Sequence, residues 1–507
     1  VFPHPPASSG EPLDYRLIVA LSLLLSAWLI FIDPIISRDG IIYLRAADAY
    51  LQGGFSASQQ VFGRPTLSIC IAIVHQLTGL SLTHAGQLLS SLFYALLCVA
   101  FVACVRTMGG GRRVQILAAA VILSHPVIGD YRSSIMRDPA FWAFMLLAFR
   151  ALLLFSRNVS WQQQLQWFTW IVAAVLFRFE GLFFAALAPL ALLFTGDRHS
   201  RLPNCLRLLV PQLLVITALL LAILVYQRVL NPGARLFPDI EKYLQGLLVF
   251  PQQFGELAAH TGDALLKFTA REDATTATLA GLVAVLVLNI CRAMSWPWVL
   301  SLLWGWKRGL LARIQPADAA VLNVHIAISL LYLGAYVLIR QFILERYTVI
   351  LVVFALLYLP FVLDGLWQNT SRKAGRALVI VLLVAMSADT LHNHDYRKSF
   401  IRDAAEWLTA NTPAESSLLT NDRYIAYFSH RQVKWRKGKP ADYQFDANAL
   451  ARNPALWREI DYLVFATRPD DLEAWRQFLD EYSLTELAVF DGGRMGRIAV
   501  VKIPQKS

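Results

Sequence analysis

The feature that most restricts this chain is a succession of apolar runs, many of them about one bilayer long in helical residues. A helix needs about 20 mostly apolar residues to cross the hydrocarbon layer. With no water there to satisfy backbone N–H and C=O groups, only helices and closed barrels span it. Runs that reach or approach this length cover 13–32, 85–106, 114–129, 139–155, 162–178, 181–195, 206–226, 277–304, 317–339, 347–367 and 376–390. The expected fold class is therefore a polytopic α-helical membrane protein of about eleven transmembrane helices. Composition agrees, since only 16% of the 507 residues are charged where a soluble domain carries roughly 25%. The formal net charge of +11 would suggest nucleic acid in a soluble chain. Here Lys and Arg gather in short connections between apolar runs, where they orient the protein and meet anionic headgroups, so a nucleic-acid partner is not expected.

Arg106, Arg112, Arg113, Arg157, Arg198, Arg201, Arg207, Lys307, Arg308, Arg313, Arg372, Lys373 and Arg376 all fall in alternate connections. The positive-inside rule places that side, and the N-terminus, in the cytoplasm. No cleavable signal pattern precedes the first run, which is expected to be retained as a span. The opposite face receives the loops 33–84 and 231–276. After Asp389 the chain becomes polar, and helix-like stretches (Phe400–Thr409, Leu472–Tyr482) alternate with strand-like ones (Ser417–Thr420, Tyr462–Ala466, Ile498–Ile503). The predicted domains are thus 1–390 in the membrane and 391–507 as a soluble α/β domain on the side away from the cytoplasm.

Two further stretches bear on function. In the loop 231–276, Leu236, Ile240, Tyr243, Leu244, Leu247 and Leu248 recur at helical spacing. This predicts an amphipathic helix, either movable over a site or simply packed on the bundle. The five cysteines, Cys70, Cys98, Cys104, Cys205 and Cys291, have neither zinc spacing nor a disulfide framework. His392 and His394, near Asp395, lack the further donor that a metal centre needs, so no metal site is assigned to them.

The spans are nearly free of acids, unlike those of proton-coupled transporters, which place ionisable groups at mid-membrane. The informative charges collect at the outer ends of spans: Asp39, Arg64, Asp130, Arg132, Arg137, Asp138, Arg178, Glu180, Arg340, Glu345 and Arg346. Carboxylates serve as general bases, and guanidinium groups bind phosphate through forked hydrogen bonds. Such a mixture at one membrane face suits a reaction whose leaving group is a lipid phosphate. Residues 41–51, with Ile41, Ile42, Leu44, Ala47 and Leu51 at helical spacing, predict a short helix along the membrane surface just after Asp39.

The motif Asp39-Gly-Ile-Ile-Tyr43-Leu-Arg-Ala46, followed by Gly53-Gly54 and Gly63-Arg64-Pro65, resembles the first outer loop of GT-C fold glycosyltransferases. The style is that of the protein O-mannosyltransferases and the lipid A aminoarabinose transferase. Met136-Arg137-Asp138-Pro139, Phe177-Arg178-Phe179-Glu180-Gly181 and Glu345-Arg346-Tyr347 resemble further segments of that superfamily, and the tail resembles its outer domain. The resemblance implies an inverting membrane transferase that moves a sugar from a polyprenyl-phosphate donor to a glycan, lipid or protein acceptor at the periplasmic face. It implies Asp39 as general base, Asp138 as a second catalytic residue that orients the acceptor or the sugar, and Arg346, Arg340 and Arg64 as binders of the donor phosphate. Tyr43, Arg137, Arg178, Glu180, Glu345 and Tyr347 would line the cavity. Many relatives carry two adjacent acids where this chain has Arg38-Asp39. A divalent cation (Mg or Mn) therefore stays open and no metal ligand is assigned. Two other classes use lipid-linked sugars: O-antigen-type polymerases or ligases, which usually lack a soluble C-terminal domain, and transporters or flippases.

Overall fold

A computed structural model describes residues 13–33, 35–225, 238–369, 372–392, 398–436, 439–440 and 447–504. The membrane part is a run of helices: α1 (Tyr15–Ile32), α2 (Arg38–Val61), α3 (Thr66–Thr78), α4 (Leu82–Thr107), α5 (Arg112–Leu123), α6 (Pro126–Asp130), α7 (Asp138–Arg157), α8 (Trp161–Phe177) and α9 (Gly181–Leu187). There follow α10 (Arg198–Val225), α11 (Pro238–Leu265), α12 (Ala274–Met294), α13 (Trp296–Lys307), α14 (Pro316–Arg340), α15 (Glu345–Leu356), α16 (Leu359–Asn369) and α17 (Arg372–Leu391).

Six helical segments among the described residues are long and apolar enough to cross a membrane, and a seventh is the bent pair α15 and α16, whose axes differ by 45°. Of the other expected spans, 162–178 and 206–226 form the continuous helices α8 and α10; 114–129, 181–195 and 277–304 are interrupted, each near a proline. The run 114–129 stops at Leu123, because Pro126 starts a new helix and disfavours a helical conformation at the residue before it. The run 181–195 tightens into a 3₁₀ segment, Ala188–Phe194, at Pro189. The run 277–304 is divided at Ser295, whose φ of +67° leaves the right-handed helical region just before Trp296-Pro297. Of the amphipathic stretch expected at 236–248, residues 236 and 237 lie outside the described residues and the remainder belongs to α11.

The stretch after α1 is longer and more helical than the short surface helix expected at 41–51. Ser37 caps α2, its Oγ accepting from Gly40 N at 3.2 Å. The helix kinks at Gly53 and Gly54, the latter at φ +68°, a conformation that glycine adopts without steric cost. Across the kink, the buried Ser58 Oγ donates to Ala46 O at 2.7 Å and ties the two limbs together.

The tail holds α18 (Ser399–Asn411), β1 (Leu418–Thr420), α19 (Arg423–Phe428), β2 (Trp435–Arg436), β3 (Lys439–Pro440), α20 (Ala447–Arg452), β4 (Tyr462–Thr467), α21 (Leu472–Glu481), β5 (Glu486–Asp491) and β6 (Arg497–Lys502). Its main sheet has the order β1-β4-β6-β5, with β1 parallel to β4 and the other pairs antiparallel. Alternation along the strands explains how both faces are covered. Leu463, Phe465, Ala499 and Val501 pack against Leu450, Trp457, Trp475 and Phe478, whereas Tyr462, Val464, Ile498 and Val500 pack against Phe400, Leu408 and Ile425. The sequence pattern locates α18 and α21, two of the tail's four described α-helices, and three strands of this sheet, β1, β4 and β6. It misses β5, an edge strand whose alternate residues are exposed.

By packing, the chain divides into two compact units. One comprises the described parts of Val1–Leu25, Ser91–Tyr131 and Arg137–His392; the other comprises Ser26–Ser90, Arg132–Met136 and the described parts of Asn393–Ser507. The first outer loop therefore folds with the tail, although more than 300 residues separate them in sequence.

Candidate active site

In the first unit the candidate charges converge on Arg178. This residue ends α8 in an extended conformation, which turns its side chain away from the helix repeat. Its Nη1 donates to Asp138 Oδ1 and its Nη2 to Glu180 Oε1. Asp138 lies in the first turn of α7 beside Pro139, where the positive end of the helix favours a carboxylate. Glu180 precedes the first residue of α9. Three helix termini thus deliver one guanidinium and two carboxylates to a single point. Asp138 and Arg178 are only 3% and 5% exposed. Burial alone would raise the Glu180 pKa, but Arg178, with help from Arg137, overrides this and holds it at about 2. The two oxygens of Glu180 are used differently: Oε2 is buried and has no hydrogen-bond partner among the described residues.

Aromatic rings and a second guanidinium surround this cluster. The Arg178 guanidinium carbon lies 5.8 Å from the Phe141 ring centre and 5.3 Å from that of Tyr347. Arg346 Nη2 donates to Tyr347 Oη at 3.1 Å, and Tyr332 Oη donates to Tyr347 O at 2.7 Å. The Tyr336 ring packs on Tyr347 with centres 5.2 Å apart. Tyr131, at the end of α6, completes the group. Burial, reinforced by Glu345 and opposed by Arg346, pushes its phenol up to about 12, so it stays protonated at neutral pH.

The candidates therefore sort by unit. Asp138, Arg178, Glu180, Arg137, Arg346, Glu345 and Tyr347 gather in the first, with Asp130 among the charges felt by Tyr131. Arg340 is the half-buried last residue of α14. Asp39, Tyr43 and Arg64 belong to the second unit. There Asp39 is half-buried in the first turn of α2, and the buried Tyr43 ring meets Phe62 edge-on at 5.2 Å. Arg64 is half-buried just before α3.

Sequence reasoning passed over Tyr131, Tyr332 and Tyr336. Only their positions at span ends, near the clustered charges, could have pointed to them. It also passed over the setting of Arg132, which in the second unit is buried and donates through Nη1 to Ser26 Oγ at 3.0 Å. Nearby in sequence, Ser133 donates to Asp33 Oδ2 at 3.1 Å. Among the described residues no three His, Cys, Asp or Glu side chains are placed to hold one metal ion. His394 and Asp395 lie outside those residues.

No family model matches this sequence, and no curated protein matches it. Solved structures do. The archaeal oligosaccharyltransferase AglB from Archaeoglobus fulgidus, in complex with an inhibitory peptide and a dolichol-phosphate, is 14% identical; the match covers 89% of this chain and 69% of that one, with a TM-score of 0.48. ArnT from Cupriavidus metallidurans, bound to undecaprenyl phosphate, is 14% identical over 96% of this chain and 97% of the other, with a TM-score of 0.40. The arabinofuranosyltransferase AftD from Mycobacteria is 13% identical over 98% of this chain and 40% of its own, with a TM-score of 0.46. All three are GT-C fold glycosyltransferases. The chain is similar to them.

Proposed function

We propose that the protein is a membrane glycosyltransferase that moves a sugar from a polyprenyl-phosphate donor to a hydroxyl or amine acceptor on the periplasmic side, inverting the anomeric carbon. The observation that carries this reading is the buried Asp138–Arg178–Glu180 cluster at helix ends, with Arg346, Arg137 and four tyrosines gathered around it. Charges removed from water at this density are costly unless paired. Their retention at the rim of an apolar bundle suits recognition of a polar headgroup on a lipid.

In the proposed reaction, Asp39 takes the proton of the acceptor group as that group attacks the anomeric carbon. A new glycosidic bond forms, the bond from that carbon to the phosphate oxygen breaks, and polyprenyl phosphate leaves with the electron pair. Arg346 and Arg340 neutralise the charge that develops on the phosphate. Asp138 fixes Arg178 and so holds the headgroup end of the cavity in shape. Glu180 Oε2, an acceptor with no protein donor among the described residues, is suited to a hydroxyl of the sugar or acceptor. No residue is assigned to a divalent cation.

The test is a turnover assay on purified full-length protein in detergent, with a panel of polyprenyl-phosphate sugars and release of free polyprenyl phosphate as the readout. Wild type should release it with at least one donor. Asp39→Asn should fold normally and turn over about 10²–10⁴-fold more slowly, the usual loss for a general base. Near-normal turnover by Asp39→Asn would remove the base assignment. Failure of folded wild type with every donor would turn the reading towards lipid-diphosphate ligases or a transporter.

A further inference from the structure

The second unit joins the candidate base to the C-terminal tail. Three residues of α2, at i, i+3 and i+7 from Arg38, meet the tail along one stripe. At its start, Arg38 Nη2 lies 3.8 Å from Asp422 Oδ2, and Arg423 Nη1 reaches the Arg38 carbonyl at 3.5 Å. One turn on, Ile41 is fully buried in a cluster with Ala405 and Tyr424. Two turns on, the Arg45 guanidinium carbon sits 3.7 Å from the centre of the Trp435 ring.

These contacts differ in strength, and the difference selects the residue to test. The Arg38–Asp422 pair is long and its arginine is 74% exposed, so it contributes little. Asp422 is chiefly occupied with α19, its Oδ1 accepting from Tyr424 N at 2.8 Å and Ile425 N at 3.2 Å. The Ile41 cluster is apolar and non-directional. The Arg45–Trp435 stack is the directional contact: a planar cation on an aromatic face restrains rotation of α2 about its own axis. Asp39 and Tyr43 occupy the neighbouring stripe of the same helix, so any rotation of α2 displaces the Asp39 carboxylate directly.

We infer that Trp435, stacked on Arg45, is a positioning residue that fixes the rotation of α2 and thereby the aim of Asp39. The inference rests on the reading of Asp39 as general base. A tail residue remote in sequence would then affect the chemical step without touching substrate, since small errors in placing a base are costly to the reaction.

The experiment compares full-length wild type, Trp435→Ala, Trp435→Phe, Arg45→Ala and the double variant Trp435→Ala/Arg45→Ala. Turnover is measured with the donor found active, and hydrogen exchange is measured over residues 38–48. Trp435→Ala should lower kcat about tenfold or more with donor KM changed less than twofold, and amides of 38–48 should exchange faster. Trp435→Phe, which keeps an aromatic face, should recover most of kcat. The double variant should be no slower than the worse single one. Wild-type kcat in Trp435→Ala, an equal loss in the Phe variant, or additive losses in the double variant would overturn the inference and leave the proposed reaction standing. Absence of turnover by wild type would instead overturn the reaction, and this inference with it.

Discussion

Replacing Asp138 by alanine tests whether the charged cluster is held together as the structure shows. In the wild type, Arg178 is 5% exposed and shares its positive charge between Asp138 and Glu180. Removing one partner leaves a guanidinium that keeps Glu180 but loses a buried, charge-assisted bond. Breaking a buried pair in this way typically costs about 3–5 kcal/mol, and the second carboxylate places the expectation near the lower end. Asp138→Asn keeps an oxygen acceptor of the same shape and removes only the charge, so a loss of about 1.5–3 kcal/mol is expected. The pair Asp138→Ala/Arg178→Met removes both charges, and it should be more stable than the sum of its single variants because no unpartnered guanidinium remains. Glu180 is then the carboxylate left alone, which keeps the double variant below wild type. The assay is equilibrium unfolding in mixed micelles, followed by tryptophan fluorescence, with turnover measured separately on the folded fraction. Asp138→Ala within about 0.5 kcal/mol of wild type, the range of ordinary surface changes, would refute the view that this carboxylate neutralises a buried guanidinium.

Three further outcomes are expected. Because Glu180 is held at about 2, below the roughly 4.3 of an unfolded chain, its contribution to stability is complete above about pH 4.3 and is lost as pH falls towards 2; Glu180→Gln should flatten that limb of a stability–pH profile. Arg346→Ala should weaken binding of polyprenyl phosphate by about 10- to 150-fold, the equivalent of one charge-assisted hydrogen bond of about 1.5–3 kcal/mol. Arg346→Lys should restore only part of this in a direct binding titration, since an ammonium cannot fork onto a phosphate. In the tail, Gly496→Ala should destabilise the β5–β6 turn, where φ is +104° and an added Cβ would lie 2.3 Å from Thr467 O; an unchanged melting temperature would contradict that turn geometry.

The sequence by itself determined the features that follow from local solvent preference. Apolar length identified the long helices Tyr15–Ile32, Leu82–Thr107, Asp138–Arg157 and Pro316–Arg340, because a backbone in hydrocarbon has to satisfy its own hydrogen bonds. Short, nearly continuous apolar runs located Tyr462–Thr467 and Arg497–Lys502, because a strand covered on both faces is buried at almost every position. Charge placement at span ends put Asp138, Arg178 and Glu180 among eleven candidate residues, without joining them to one another. Hydropathy did not disclose the breaks at Ser124–Pro126 and Ser295, since a window average barely registers one proline or one residue of positive φ. Only the tertiary structure decided which charges are partners. Arg178 reaches Asp138 across 40 positions and Glu180 across two, and nothing in composition ranks those choices. Nor does any local pattern reveal that Arg45 stacks on Trp435. Burial and pairing between distant segments depend on how helix ends and sheet faces pack, and that is a property of the whole fold.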